Sequence, residues 1–165
     1  MERAQDVIGF HELYNRYSPV VFRFALRLSG DTAAAEDITA ETFLRVWAAP
    51  VPPRTETVQA WLLTIARNLF LHERRRAWRS SPLGDYDRGV EPVRDETREE
   101  WERVAAAVRE MAEPDRTILL LRAEEELPWD DIARIVGLTA AAVRVRAHRA
   151  RLRLAELCGR KEVTK

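Results

Sequence analysis

The chain is poor in the residues on which most enzyme sites and secreted folds depend. Its 165 residues include one cysteine, Cys158, which excludes an intramolecular disulfide and a cysteine-built zinc site. A lone cysteine near a helix end reads as inert. The three histidines, His11, His72 and His148, are scattered, and no nucleophile stands at a spacing that would make a catalytic constellation with them. No catalytic residue, metal ligand, cofactor or small-molecule substrate is expected. Long apolar runs are also absent, so no membrane insertion is expected. No secretory signal opens the sequence, and the expected location is cytoplasmic. Net charge is missing too: 27 Lys and Arg offset 27 Asp and Glu.

That zero sum hides a segregation. Residues 1–79 are slightly positive, 80–136 clearly negative and 137–165 strongly positive, with eight Lys and Arg against two Asp and Glu in the last segment. Charge sorted in this way points to a nucleic-acid partner where the total does not. The basic segment also carries the clearest local signals. Pro128 can open a helix, because the first turn does not need its missing N–H. Ile132, Ile135 and Val136 then repeat at helical spacing. Gly137 ends that helix where a left-handed residue is wanted, and Thr139 can cap the next. Two helices joined by so tight a turn have the spacing of a DNA-binding helix-turn-helix.

At 3.6 residues per turn, Val143, Ala147, Ala150, Leu154 and Leu157 make one narrow apolar stripe on the second of these helices. Val145, His148, Arg149 and Leu152 lie opposite. Arg144 and Arg151 flank that pole on one side, Arg146 and Arg153 on the other. Such a helix buries one stripe and offers guanidinium groups to base edges and phosphates. The bland alternative is a solvated basic helix on a bundle.

Upstream, residues 5–29 read as a helix with Phe10, Leu13, Tyr14, Tyr17, Val21, Phe24, Ala25 and Leu28 on its apolar face, kinked or divided at Pro19. Asp31 or Thr32 can cap a second helix, Ala33 to Ala49, with Ala34, Ile38, Phe43, Val46 and Trp47 as candidate core. Glu36 and Asp37 are read as its acidic first turn. A proline-rich break follows at Pro50-Val51-Pro52-Pro53.

A third helix, from Thr57 to about Arg79, should bury Trp61, Leu62, Ile65 and Leu69. Arg67, Leu71, Arg74 and Trp78 should lie opposite, with Asn68 and Arg75 beside them. The run Arg74-Arg75-Arg76-Ala77-Trp78-Arg79 mixes cations with an exposed indole, which suits single-stranded or distorted nucleic acid. The alternative is a basic helix end answering the dipole. Residues 80–98 read as a flexible linker. Helices from Trp101 to Met111 and from Arg116 to Glu126 follow, with Asp115 as a cap. No strand signal and no repeat is present. The expected fold is all-α: helical domains at 1–79 and 99–165, the latter a winged-helix-like helix-turn-helix.

Both halves resemble a known family, in order. The chain is similar to bacterial sigma factors of the extracytoplasmic-function type, which carry sigma regions 2 and 4 only. The resemblance rests on Phe10-His11-Glu12-Leu13-Tyr14, on Ala35 through Trp47, on Trp61-Leu62-Leu63-Thr64-Ile65-Ala66-Arg67-Asn68, and on Leu119 to Arg153. It implies a non-enzymatic subunit that binds core RNA polymerase, reads the minus-ten and minus-thirty-five elements of promoter DNA, and answers to an anti-sigma factor.

By the same resemblance, Asp37, Glu41, Phe43, Leu44 and Arg45 fall on the helix that docks on the clamp helices of the polymerase's largest subunit. Asn68 matches the position that helps capture a flipped minus-ten base, with Leu71 and Trp78 on the same surface. Arg67, Arg74, Arg75 and Arg76 would hold phosphates. The loop 50–58 matches the base-specificity loop. Arg144, Val145, His148 and Arg149 match the positions that read the minus-thirty-five element, with Arg146, Arg151 and Arg153 as phosphate ligands. Glu124-Glu125-Glu126 lies where the family meets the polymerase flap or an anti-sigma partner. The acidic linker would mimic nucleic acid in the polymerase channel.

Three other readings compete. A helix-turn-helix regulator independent of polymerase explains 127–157 but not the helices at 35–47 and 57–79. A helical hydrolase built on His72 or His148 lacks a nucleophile. A purely helical interaction protein would show no promoter activity with polymerase.

Overall fold

The computed structural model describes the backbone at 2–48, 57–80 and 96–162, and side chains at 9–48, 57–80 and 99–159. Among the described residues there are helices and turns but no strand. The chain divides into two compact units, Met1–Arg88 and Gly89–Lys165.

The first unit holds α1 (Glu2–Ser29), α2 (Thr32–Ala48) and α3 (Val58–Ser80), each packed on the other two. Its centre is Val21, Phe24 and Leu28 of α1, Ala35, Ile38 and Phe43 of α2, and Leu62, Leu63 and Ala66 of α3, all buried. Pro19 does not divide α1, which runs on through it. The ring lies on the exposed side, where water can serve the carbonyl it leaves unpaired. At the α1–α2 corner Gly30 takes φ 67°, a value that penalises any Cβ, and its N–H donates to the Leu26 carbonyl at 2.8 Å. Asp31 is the cap of α2: its Oδ1 accepts from the Ala33 N–H at 2.9 Å. Glu36 and Asp37 therefore fall beyond the first turn, which contains no acid. Thr57 caps α3 through the Ala60 N–H, at 3.2 Å.

Two core assignments in α2 change. Trp47 is 52% exposed, and Ala35 rather than Ala34 is fully buried. In α3 Leu62 and Leu69 are buried as expected, but the rest of the buried side differs. Ala60, Leu63, Arg67 and Phe70 recur at spacings of three and four and go inward, while Trp61 and Ile65 are only half-buried.

The second unit holds α4 (Glu96–Arg109), α5 (Glu113–Ala123), α6 (Trp129–Val136) and α7 (Ala140–Glu162). α7 packs on the other three, and α5 also packs on α6. Ile118, Leu121, Ile132 and Val143 are each 0% exposed. Burying each contributes roughly 1.5–3 kcal/mol. A second cluster joins Ala107, Met111, Leu119, Ala150 and Leu157, with Leu154 and the half-buried Cys158 against it.

The element bounds differ from expectation at several places. Ser80 ends α3 and 96–98 begin α4, so both margins of the expected linker are helical; 81–95 lie outside the described residues, as do 50–56 of the loop 50–58 expected to set base specificity. α5 starts at Glu113, capped from Ala112 with Pro114 in its first turn. Asp115 is consequently inside the helix, not its cap. Pro128 is the cap of α6 rather than its first residue.

The corner before α6 is fastened by one side chain. The Arg122 guanidinium stacks on the Trp129 ring, 4.6 Å from its centroid, and donates to the Leu127 carbonyl at 3.0 Å. After α6, Gly137 adopts φ 73° and its N–H donates to the Ala133 carbonyl at 2.9 Å. A Cβ there would meet nothing within 4 Å, so its only penalty is conformational. Gly137→Ala should therefore destabilise the second unit by about 1–2 kcal/mol, with no loss of packing, as read by thermal unfolding followed by circular dichroism.

Candidate nucleic-acid interface

α7 is the most strongly patterned surface of the second unit. Thr139 starts it by accepting the Ala142 N–H at 3.1 Å. Val143, Ala147 and Ala150 are 0%, 1% and 1% exposed, and Leu157 continues the stripe at 9%. With that face sealed against α4, α5 and α6, the opposite face must meet solvent. Arg144, Val145, His148, Arg149, Arg151, Leu152 and Arg153 are all exposed, Val145 by 50% and Leu152 by 55%. Arg153 pairs loosely with Glu156 at 3.3 Å on the open surface.

Arg146 stands apart from this group. It is half-buried, and its Nε donates to Asp115 Oδ1 at 2.9 Å, tying α7 to the first turn of α5. Among the residues expected to hold phosphate on α7, Arg146 is the one whose Nε is held by a carboxylate of another helix. Sequence reading had no signal for this pair, because its members are thirty-one positions apart.

In the first unit, α3 exposes Asn68, Arg74, Arg75, Arg76 and Arg79, and its Trp78 is 77% exposed. Leu71 is half-buried at the edge of this surface. The Arg74 guanidinium sits over the Phe70 ring, 5.7 Å from its centroid, which limits its swing. Arg67 does not join them. It is 8% exposed, in the stripe with Leu63 and Phe70, and is removed from the set of phosphate ligands. An aromatic group with cations on one open helix side is suited to unpaired bases, which stack on indole while guanidinium groups follow the backbone.

A third surface lies on α2. Asp37, Leu44 and Arg45 are exposed, Leu44 by 62%, and Arg45 Nε pairs with Glu41 Oε1 at 3.1 Å. Phe43 is instead a core residue at 3%. From inside it supports an aromatic group that the sequence reading missed: Tyr14 lies edge-on to Phe43 at 4.8 Å, and Phe10 edge-on to Trp47 at 4.8 Å. Tyr14 is 42% exposed, so with Trp47 and Leu44 it forms an apolar surface open to a partner. The hint was available: Trp47 stands three residues after Leu44, on one helix side.

Among the described residues no group of three or more His, Cys, Asp or Glu side chains could hold a metal ion. No helix among them is long and apolar enough to cross a membrane.

Comparison with known proteins separates the same two units. Residues 13–80 match the family model for sigma-70 region 2, and residues 101–154 match that for sigma-70 region 4. The chain is 33% identical to the ECF RNA polymerase sigma factor SigL of Mycobacterium tuberculosis over 165 aligned residues, covering 93% of each chain. It is 29% identical to the RNA polymerase sigma factor CarQ of Myxococcus xanthus, covering 99% of this chain and 98% of that one. Among solved structures, the sigma factor RpoE of Bartonella quintana, crystallised with the anti-sigma factor NepR, shares the fold with TM-score 0.79 at 24% identity, covering 95% of this chain and 99% of that one. CnrH, solved with the cytosolic domain of CnrY, aligns with TM-score 0.68 at 25% identity, covering 93% and 92%.

Proposed function

The chain belongs to the extracytoplasmic-function (ECF) RNA polymerase sigma factors, with regions 2 and 4, and from this we propose how its exposed surfaces divide promoter recognition. The chain joins core RNA polymerase as a dissociable subunit and directs initiation at its own promoters. The polymerase supplies the chemistry, in the cytoplasm, and this chain supplies contacts.

In the second domain Arg144, Val145, His148 and Arg149 read the minus-thirty-five element from the major groove, and Arg151 and Arg153 hold phosphates. The exposed face of α7, opposite a sealed apolar stripe, is the observation that carries this reading. Two bidentate arginines there would favour guanines, and Val145 offers a methyl-sized apolar contact that suits thymine. In the first domain Asn68 pairs with the edge of a base drawn out of the duplex, its amide serving as donor and acceptor. Trp78 and Leu71 provide apolar surface beside it, and Arg74, Arg75 and Arg76 hold the strand. Extruding a base costs a few kcal/mol, which these contacts must offset.

The outer face of α2 meets the clamp helices through Asp37, Glu41, Leu44 and Arg45. Tyr14 and Trp47, exposed beside Leu44, extend this surface. The acidic corner Glu124-Glu125-Glu126 faces the polymerase flap or an anti-sigma partner. The complexes of RpoE with the anti-sigma factor NepR and of CnrH with the cytosolic domain of CnrY support control of this chain by an anti-sigma factor.

The direct test is reconstitution with bacterial core RNA polymerase, followed by transcription from a library of promoter sequences. Initiation that depends on the chain and selects a shared two-box motif is the expected result; duplex binding without polymerase dependence would make it a regulator of another kind. Within the same assay, Asn68→Ala should slow open-complex formation, followed by permanganate reactivity of unpaired thymines, while leaving closed-complex affinity nearly unchanged. Equal opening by the variant would remove Asn68 from the melting site.

A further inference from the structure

We infer that Arg146 is a positioning residue, whose ion pair with Asp115 sets the angle at which α7 presents its reading side chains to DNA. The inference rests on the proposed role of α7 as the reader of the upstream element.

Arg146 differs from its neighbours in burial and in partner. Arg144, Arg149, Arg151 and Arg153 stand exposed, whereas Arg146 keeps 41% of its side chain accessible and Asp115 keeps 29%. Their contact, Nε to Oδ1 at 2.9 Å, joins the N-terminal half of α7 to the first turn of α5. Asp115 is well placed to hold that anchor. A carboxylate in a first turn is favoured by the helix dipole, and Pro114 beside it presets the backbone. Val143 and Ala147, both buried, flank Arg146, so the pair closes the edge of the packed stripe.

Charge arithmetic points the same way. A phosphate ligand must displace counterions with an uncompensated positive charge. The Arg146–Asp115 pair sums to zero, so its attraction for a phosphate row is weak. What it controls is orientation. Arg144 and Arg149 flank position 146 within one turn of helix, and bidentate hydrogen bonding to a base edge tolerates little rotation.

The test uses the full chain bound to core polymerase, on a duplex promoter carrying the motif selected from the library. Promoter affinity is measured across a range of salt concentrations. Arg146→Ala and Asp115→Ala should each weaken binding by a similar factor, roughly 2- to 5-fold for a half-exposed pair, with the salt slope unchanged. The sign at Asp115 is decisive. Removing a carboxylate from a DNA-binding domain should tighten binding on charge grounds alone, so weaker binding identifies positioning. The exchange of Asp115→Arg with Arg146→Asp should regain affinity relative to either single change.

Tighter binding by Asp115→Ala would overturn the inference. So would a salt slope reduced by about 0.9 in Arg146→Ala, the signature of a lost phosphate contact. Arg149→Ala runs alongside as the control for the underlying reading. If it alters neither affinity nor base preference, α7 is not the reader and the inference falls with that reading; if it alters both, the Asp115 and Arg146 results judge the inference alone.

Discussion

Holoenzyme carrying Arg149→Ala will bind its promoters roughly 5- to 150-fold more weakly and lose its preference at one base pair of the upstream element. The range follows from the ~1–3 kcal/mol of discrimination carried by a bidentate arginine–guanine contact. Arg149 is exposed on α7 one residue from buried Ala150, so deleting it empties no core and the folded state should melt where the parent does. Selection from a randomised upstream box is the measurement. A uniform loss at every sequence would assign Arg149 to phosphate, whereas relaxation at one position assigns it to a base.

The second large effect separates two adjacent residues. Phe43 and Leu44 stand side by side in sequence, yet Phe43 is 3% exposed and Leu44 62%. Phe43→Ala removes a buried ring that Tyr14 and Phe10 pack against and should destabilise the first domain by about 3–5 kcal/mol. For a small domain that is a large share of its total stability. Leu44→Ala should leave unfolding nearly unchanged and weaken association with core polymerase. Denaturant unfolding paired with a polymerase pull-down distinguishes the two. Parallel behaviour of the variants would contradict the division of α2 into an inner and an outer side.

The parts legible in the sequence were those with local causes. Gly137 and Thr139 mark the α6–α7 turn because a positive φ and a capping hydroxyl act within three residues of themselves. The stripe on α7 was equally plain, since its apolar residues are few and well separated. α3 was harder. Leu62, Leu63, Ile65, Leu69, Phe70 and Leu71 surround much of its circumference, so period alone leaves the buried side uncertain by a turn of the helix axis. The period therefore points Arg67 outward, and packing against α1 and α2 carries it inward. Trp47 is the opposite case: a large apolar ring at core spacing lies open beside Leu44. The Asp115–Arg146 contact had no local trace at all. It exists because α5 and α7 pack together, which no short window of sequence contains.

The separation of faces on α7 has an evolutionary consequence. Its outward residues contribute little to folding, so single substitutions there can accumulate at nearly constant stability. On the proposed reading of α7, a duplicated copy of this gene could acquire a new set of target promoters through one or two codon changes at 144, 145, 148 or 149 while keeping the same scaffold. α3 offers less latitude, because Arg74 rests on Phe70 and Arg67 is enclosed, so its surface is coupled to its interior. Divergence among sibling factors should therefore proceed faster in the upstream box than in the downstream one.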